Sequence, residues 1–422
     1  MALPVSLAEA GTVGRVDRLG GDRGTAVARL VQTSVKDHGR TVPPQMRLQV
    51  LVILSCQPGH SEAAIDTNMS VTALHSGSDR LGRIIYLCNA DNTPTGGIKV
   101  IYRHAELLTD LGADAYVIHP DNLDFGCTWF EHHTRLLRSR DLDTESDFLI
   151  LPEIYAGLIG PQCIDQHVRF AIFVQNGYAS HSLDPSQTFE VLDRVYQAAD
   201  LILSISEDTT RMVAFNYPGL DPARLVRAQY SIHERFLADN RGVKASAIPT
   251  ISLMTRKMAD HVDRVVFALR QQLRKHRPMQ PWRIEPIHNV DEATVAAVLS
   301  ASRIFLSFSD FEGLPLPPLE AALAGNLVIG YTGQGGREYW RKPNFQEIAQ
   351  GDIRGFVAAV CEAVRRIDTK RMTYDDLAPG IRMLTKKYSL AAERENLRTL
   401  LGRIRNCFET APRGASIVEA VR

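Results

Sequence analysis

The sequence predicts an α/β protein made of two doubly wound, parallel-sheet domains. Three observations predict it. Short apolar runs rich in β-branched and aromatic residues recur along the chain with helical spacing between them, the alternation that builds a parallel sheet covered by helices. A polar, charged stretch near 239–247, with Gly242, interrupts the pattern midway and reads as a linker. At 422 residues the chain is long enough for two such domains plus extensions.

The elements follow in order. Residues 1–47 mix Gly, Arg, Asp and Thr without sustained periodicity, and 57–78 are small and polar. The region 1–80 is therefore expected to be a largely disordered N-terminal extension, although Leu48–Leu54 has the composition of a strand. That run is far too short to span a membrane. A first domain, 81–245, opens with the strand Arg83–Leu87. CNADNTPTGG follows, then a helix with apolar positions 98, 101, 105, 108 and 111 that Gly112 ends. Further strands are expected at Ala115–Ile118, Phe148–Leu151, Phe170–Val174 and Leu201–Ser204, with a helix over Gln187–Ala199. A second domain, 246–388, begins with Ile248–Met254 and a helix reaching about Lys275. Strand Trp282–Pro286, helix Asp291–Ser300 and strand Arg303–Phe308 follow. Leu319–Ala324 reads as a helix stopped by Gly325, and Leu327–Gly330 as the next strand. Helices over Ile353–Ile367 and Leu390–Ile404 close the pattern, the latter within a C-terminal segment, 389–422.

Composition excludes several function classes. Lys+Arg and Asp+Glu both number 48, so no net positive charge points to nucleic acid. The six cysteines are scattered without a CxxC pair, which favours reduced thiols in a cytoplasmic protein over a disulfide framework or zinc site. No His, Cys, Asp or Glu cluster has metal-ligand spacing. His132–His133 reads as a solvated pair, and His104, between core positions of the first helix, as a structural residue.

In a doubly wound sheet the ligand crevice lies at the carboxyl ends of the strands. Gly96 and Gly97 stand between a strand and a helix start, the layout of an anion-accepting turn. They lack the GxGxxG of a dinucleotide fingerprint, and a plain tight turn also suits them. Asn176, after the strand ending at Val174, can hydrogen-bond an acceptor hydroxyl or a donor sugar, or simply form an Asn-Gly turn. Arg256 and Lys257 sit where a strand hands over to a helix, placed to neutralise a diphosphate or to be solvated. The richest stretch is Ser307–Gly330, read as strand, acidic loop, Pro-led helix, strand. Gly313 admits close approach to the backbone, and the helix start presents unpaired N–H groups. Glu320, expected in the first helical turn, is placed to accept hydrogen bonds from ribose or sugar hydroxyls. Glu312, eight positions earlier, faces the same crevice. Spacing alone equally suits a helix-stabilising Glu320 and a solvated Glu312. Tyr331–Arg337 (YTGQGGR) reads as a second Gly-rich turn by that crevice.

EGLPLPPLEAALAGNLVIG resembles the Glu-x7-Glu signature of retaining nucleotide-sugar glycosyltransferases of the GT-B fold, family 4 type. The resemblance extends more loosely from about Arg83 to Tyr388. It implies two Rossmann-like domains facing across a cleft, and transfer of a sugar from a nucleotide-diphosphate donor to a hydroxyl with retention. The donor is then a substrate, no resident cofactor is expected, and the acceptor is a glycan, lipid-linked or other hydroxyl compound. A cytoplasmic place in surface polysaccharide or glycoconjugate synthesis follows, compatible with peripheral membrane association. The implied catalytic set is Glu312, near the donor sugar, with Arg256, Lys257 and Asn176. The implied donor-binding set is Glu320, on the ribose, with Gly96, Gly97, Gly313, Leu314, Gly335 and Gly336. Two departures stand out. The family often carries a His near Asn176, where this chain has Gln175–Asn176 and its nearest His is His181. The family spaces its Arg and Lys several residues apart, whereas Arg256 and Lys257 are adjacent and His261 takes the usual Lys position. Another GT-B reaction, such as a phosphorylase or epimerase, is the enzymatic rival; a non-catalytic sugar-binding or scaffold subunit is the rival of another class. Because no Asp-x-Asp marks a strand end near the crevice, turnover should survive EDTA. Abolition by EDTA and rescue by Mn²⁺ or Mg²⁺ would refute this.

Overall fold

A computed structural model describes residues 82–409 apart from 121, 123, 139–140, 182–187 and 238–240. The expected disordered extension 1–80, including Leu48–Leu54, lies outside the described residues.

The first half contributes strands β1 (Ile84–Leu87), β2 (Ala115–Ile118), β3 (Phe148–Pro152), β4 (Arg169–Val174), β5 (Leu201–Ser204) and β6 (Leu225–Arg227). Helices α1 (Gly96–Asp110), α2 (Glu153–Asp165), α3 (Phe189–Ala198) and α4 (Glu207–Asn216) connect them. The second half has β7 (Thr250–Met254), β8 (Arg283–Ile287), β9 (Ile304–Glu312), β10 (Leu327–Gln334) and β11 (Phe345–Glu347). Its helices are α5 (Arg241–Ser246), α6 (Ala259–His276), α7 (Glu292–Ala301), α8 (Leu316–Leu323), α9 (Ile353–Asp368), α10 (Tyr374–Lys387) and α11 (Leu390–Glu409). All strands pair in parallel, in the orders β2-β1-β3-β4-β5-β6 and β11-β10-β9-β7-β8. Each order reverses once, between β1 and β3 and between β7 and β9. Those two switch points are where such sheets open a ligand crevice.

The strands are legible because helices cover both faces, so β1, β3 and β5 are wholly buried apolar runs. Helices α2 and α10 escape a periodicity reading. α2 is apolar on nearly all sides with Pro161 inside it, and α10 contains Pro379; tertiary packing overrides their poor propensity. The stretch read as a linker is partly folded, since α5 lies in it. Lys244 on α5 is buried and donates to the carbonyls of Ser302 and Leu299 at the end of α7. Burial, with Arg303 adding to it, pushes that ammonium down to about 7.

Three corrections concern the central stretch. Asp310 and Glu312 belong to β9 rather than to a loop, because β10 runs on to Gln334 and pairs Ser309 with Thr332 and Glu312 with Gln334. For the same reason Tyr331–Gln334 is strand, and only Gly335–Glu338 turns, as one turn of 3₁₀ helix. Helix α8 begins at Leu316, since Pro317 and Pro318 need no N–H partner in a first turn. Glu320 is therefore the fifth residue of the helix and lies in its second turn.

One hydrophobic cluster joins the two halves, running from Ile84 and Ile101 through Leu319 and Phe305 to Tyr388 and Leu400. Buried polar groups fix the orientation. The fully buried Glu393 of α11 accepts hydrogen bonds from Arg103 Nε at 2.9 Å and from Ser231 Oγ at 2.5 Å, tying α11 to α1. Glu338 accepts from the Glu207 backbone N–H (2.8 Å), Arg227 (3.0 Å) and Tyr388 Oη (2.6 Å). Among the described residues no helix is long and apolar enough to cross a membrane. Glu393→Ala would leave the Arg103 guanidinium facing an unfilled, largely dry site. It should cost about 2–4 kcal/mol in urea unfolding. A change within about 0.5 kcal/mol, the level of an ordinary surface substitution, would show that the pair does not hold the helix.

Candidate functional site

The segments that follow β1, β4 and β5 meet the carboxyl ends of β7, β8 and β9 around a cleft of about 420 Å³. That size suits a small organic ligand. Gly96, Gly97, Asn176, Arg256, Lys257, Glu312, Gly313, Leu314 and Glu320 all line it. The structure thus brings together nine of the eleven positions the sequence singled out. Gly335 and Gly336 do not line it. They are buried behind Gly313, where a Cβ on Gly335 would stand 1.9 Å from the Gly313 carbonyl oxygen.

Gly313 is the closest crossing of the two halves. A Cβ there would lie 2.0 Å from the Gln175 carbonyl oxygen and 2.8 Å from Thr209 Oγ1, so only glycine permits the approach. Two further contacts seal the same line. Gln175 Nε2 donates to the Gly97 carbonyl at 3.3 Å, and Asn176 Nδ2 donates to the Phe311 carbonyl at 3.1 Å. Asn176 Oδ1 also accepts from the Tyr178 N–H at 3.1 Å. Its side chain therefore holds the end of β4 against the tip of β9 while remaining on the cleft wall.

The two glutamates differ in environment. Glu312 pairs with Lys257 Nζ at 2.7 Å, a contact that closes the β7 end onto the β9 end. Glu320 is half-buried and makes no hydrogen bond or ion pair with any described residue. Burial raises its pKa, and the Lys99 ammonium opposes that. A carboxylate held in a cleft without a partner is a binding group awaiting donors.

The cations are unevenly free. Arg256 is exposed at the rim and makes no ion pair among the described residues, whereas Lys257 is engaged by Glu312. His261 lies off the cleft wall, its Nδ1 3.1 Å from Tyr331 Oη, and His181 is exposed away from it. The start of α8 is a poorer anion cradle than expected, because Pro317 and Pro318 carry no N–H. Backbone donors on that wall reduce to residues such as Gly313, Leu314 and Leu316. The start of α1, with Gly96 and Gly97 and no capping side chain, keeps its donors open. Among the described residues no group of three His, Cys, Asp or Glu side chains is placed to hold a metal.

Sequence reasoning missed two wall residues. Lys99 of α1 reaches across to Glu292 of α7 and forms a direct ion pair, with Arg235 3.7 Å from the same carboxylate. Burial pushes Lys99 down to about 8, while Glu320 opposes the shift. No motif marks either residue; only the fold brings positions 99 and 292 together.

No family model and no curated protein matches this chain. Solved structures do. Anabaena Alr3699/HepE in complex with UDP-glucose is 11% identical with a TM-score of 0.57, covering 76% of this chain and 99% of that one. Sucrose-phosphate synthase from Thermosynechococcus elongatus is 12% identical at a TM-score of 0.58, covering 78% and 100%. The apo form of the lipopolysaccharide outer core galactosyltransferase WaaB is 14% identical at 0.52, covering 76% and 99%. At such identities the likeness is one of architecture. The chain has the GT-B fold, as its strand pattern and central motif led us to expect.

Behind the cleft wall, Glu153 at the start of α2 accepts the backbone N–H groups of Gln175 (3.1 Å) and Asn176 (2.9 Å). It is buried, and burial lifts its pKa from the ordinary 4.5 to about 7 against those two hydrogen bonds. The folded chain then holds a proton that the unfolded chain has lost between about 4.5 and 7. The stability Glu153 contributes is therefore present below about 4.5 and lost as pH rises through 7. Glu153→Gln, which cannot ionise, should gain on the wild type by roughly 1–3 kcal/mol between pH 5 and pH 8. Urea unfolding at both pH values measures this, and parallel profiles would refute it.

Proposed function

We propose that this chain is a retaining glycosyltransferase that moves a sugar from a nucleoside diphosphate to an acceptor hydroxyl. The observation that carries the reading is the pair of unlike glutamates in one cleft: Glu320, whose carboxylate has no hydrogen-bond or ion-pair partner among the described residues, and Glu312 held by Lys257. Glu320, between the two halves, would accept the ribose hydroxyls. Glu312, at the tip of β9, would face the sugar as it leaves. The GT-B neighbours support glycosyl transfer in general, and HepE with UDP-glucose makes UDP-sugars the first donors to try.

The chemical task is to stabilise negative charge on the departing diphosphate. Arg256, the uncommitted cation of the cleft, and the N–H groups of Gly313 and Leu314 are the groups placed for it. Lys257 can join them once the diphosphate competes with Glu312 for its ammonium. In this reading Glu312 stabilises the sugar rather than attacking it, so acceptor and leaving group would share one face of the sugar, giving retention. The ion pair of Lys99 with Glu292 and the hydrogen bond of Asn176 to Phe311 close the halves together, which keeps water from the donor. A cytoplasmic role in polysaccharide or glycoconjugate synthesis belongs to this proposal.

The two glutamates should separate in measurement. Ribose contacts are alike in ground and transition states, so Glu320→Ala is a loss of uniform binding. It should weaken a nucleoside diphosphate by roughly 1.5–3 kcal/mol, about tenfold to a hundredfold. Glu312→Ala should lower kcat with nucleotide affinity held or slightly tightened, because Lys257 is released toward the phosphates. Calorimetry with UDP, ADP and GDP beside steady-state rates tests this. Equal, negligible effects of both substitutions would remove the basis of the reading, and a wild type that binds nucleotide but never hydrolyses or transfers a sugar would favour a scaffold subunit.

A further inference from the structure

Beside Glu312 the chain exposes an aromatic side chain that folding does not require. Phe311 is 58% exposed at the tip of β9. Its ring lies 5.4 Å from that of Tyr178, centroid to centroid, at an interplanar angle of 47°. The two come from different halves: Phe311 from the strand that carries Glu312, Tyr178 from the turn that follows β4. Both are held in place. Tyr178 Oη donates to Asp208 Oδ2 at 2.9 Å, its N–H donates to Asn176 Oδ1, and Asn176 Nδ2 fixes the Phe311 carbonyl. Asp208 itself lies in the first turn of α4.

We propose that Tyr178 and Phe311 form the platform for the acceptor, and that the acceptor is a carbohydrate ring. The proposal rests on the donor reading above: the pair lies outside the residues that line the donor cleft, and Asn176 on the cleft wall ties it there through the Phe311 carbonyl and the Tyr178 N–H. A pyranose ring has an apolar face of C–H bonds and a rim of hydroxyls. The C–H face matches the negative face of an aromatic ring, and stacking removes apolar surface from water on both partners. The hydroxyl rim would then find the carboxylate of Asp208, which already holds Tyr178 Oη, beside the platform. A lone exposed Phe would be ordinary surface. A Phe paired with a tethered Tyr, one residue from the carboxylate nearest the reacting sugar, is a preorganised site of about one ring in width. Fixing both rings beforehand lowers the ordering cost of binding.

The test uses the full chain, saturated with UDP, and four trisaccharide probes: maltotriose, cellotriose, mannotriose and chitotriose. Saturation-transfer NMR and titration are run on wild type, Phe311→Ala, Phe311→Trp, Tyr178→Ala, and Phe267→Ala as an exposed aromatic elsewhere. At least one trisaccharide should bind wild type and Phe267→Ala alike. Phe311→Ala and Tyr178→Ala should bind it roughly tenfold more weakly, and Phe311→Trp should restore binding. UDP affinity should stay within about twofold in every variant. No sugar binding in wild type, or equal binding in Phe311→Ala, overturns the platform. The same titrations without nucleotide separate the two proposals. Sugar binding that depends on Phe311 in a chain that takes up no UDP, ADP or GDP would keep the platform and sink the donor reading.

Discussion

The site depends on one backbone crossing. At Gly313 the strand-to-helix turn after β9 meets the carbonyl of Gln175 after β4, closer than any side chain would allow. The approach is fixed from behind on both sides. Gly335 must also be bare, since its own Cβ would strike the Gly313 carbonyl. Glu153 holds the other partner by accepting the N–H groups of Gln175 and Asn176. A glycine pair and a buried carboxylate thus set the distance between two sheets whose switch points would otherwise face each other without a defined gap. The cleft walls are consequences of that crossing: Gly97 meets Gln175, Asn176 meets Phe311, and Lys99 meets Glu292 across the opening.

Much of this was legible because parallel strands buried on both faces advertise themselves. Ile84–Leu87, Phe148–Pro152 and Leu201–Leu203 are continuous apolar runs, as is Ile304–Leu306 at the start of β9, which the Gly-Leu-Pro turn follows. Less legible was where β9 and β10 end. Ser309–Glu312 is polar enough to read as loop, but pairing with Thr332–Gln334 holds it in the ladder. That extension carries Glu312 out to the tip where Lys257 can reach it. The prolines at 317 and 318 misled in the other direction, since they start α8 earlier and move Glu320 into its second turn. Lys99 and Glu292 had no local signature at all, and Glu153 was legible only as a residue at a strand's carboxyl end. Their roles come from contacts 22 to 193 residues apart in sequence, which no window of periodicity can register.

The polar groups at the junction fall into two kinds. Glu393 and Glu338 are both engaged: Arg103 and Ser231 hold Oε2 of the first, although its Oε1 has no hydrogen-bond partner among the described residues, and Arg227, Tyr388 and the Glu207 N–H hold the second. Buried charges held in this way fix geometry, and breaking them would expose an unpaired ion to a dry interior. Glu320 and Arg256 are the opposite kind, ionisable groups in or at the rim of the cleft whose side chains make no hydrogen bond or ion pair with a described residue, Glu320 feeling Lys99 only at a distance. A fold with every other nearby carboxylate engaged has no structural use for an unmatched pair of this sort. Their isolation separates site from scaffold more sharply than the bare Glu-x7-Glu spacing does.

Charge supply then constrains any diphosphate chemistry here. Two prolines remove donors from the start of α8, so the helix end alone cannot carry the load that a dipole argument assigns to it. Among the described residues, Lys99, Lys257 and Arg256 are the lysine and arginine side chains that line the cleft; the first two are each matched by a glutamate, and Arg256 has no ion pair with a described residue. Each pairing holds its lysine in place on the cleft wall. Under the proposed donor reading, a diphosphate would compete with Glu312 for the Lys257 ammonium, and Glu312 would then face the sugar with its own charge unmatched. A carboxylate freed as the leaving group takes its cation would favour positive charge developing on the sugar ring. On that reading the Lys257–Glu312 contact is an exchangeable couple whose rupture would serve both ends of the breaking bond.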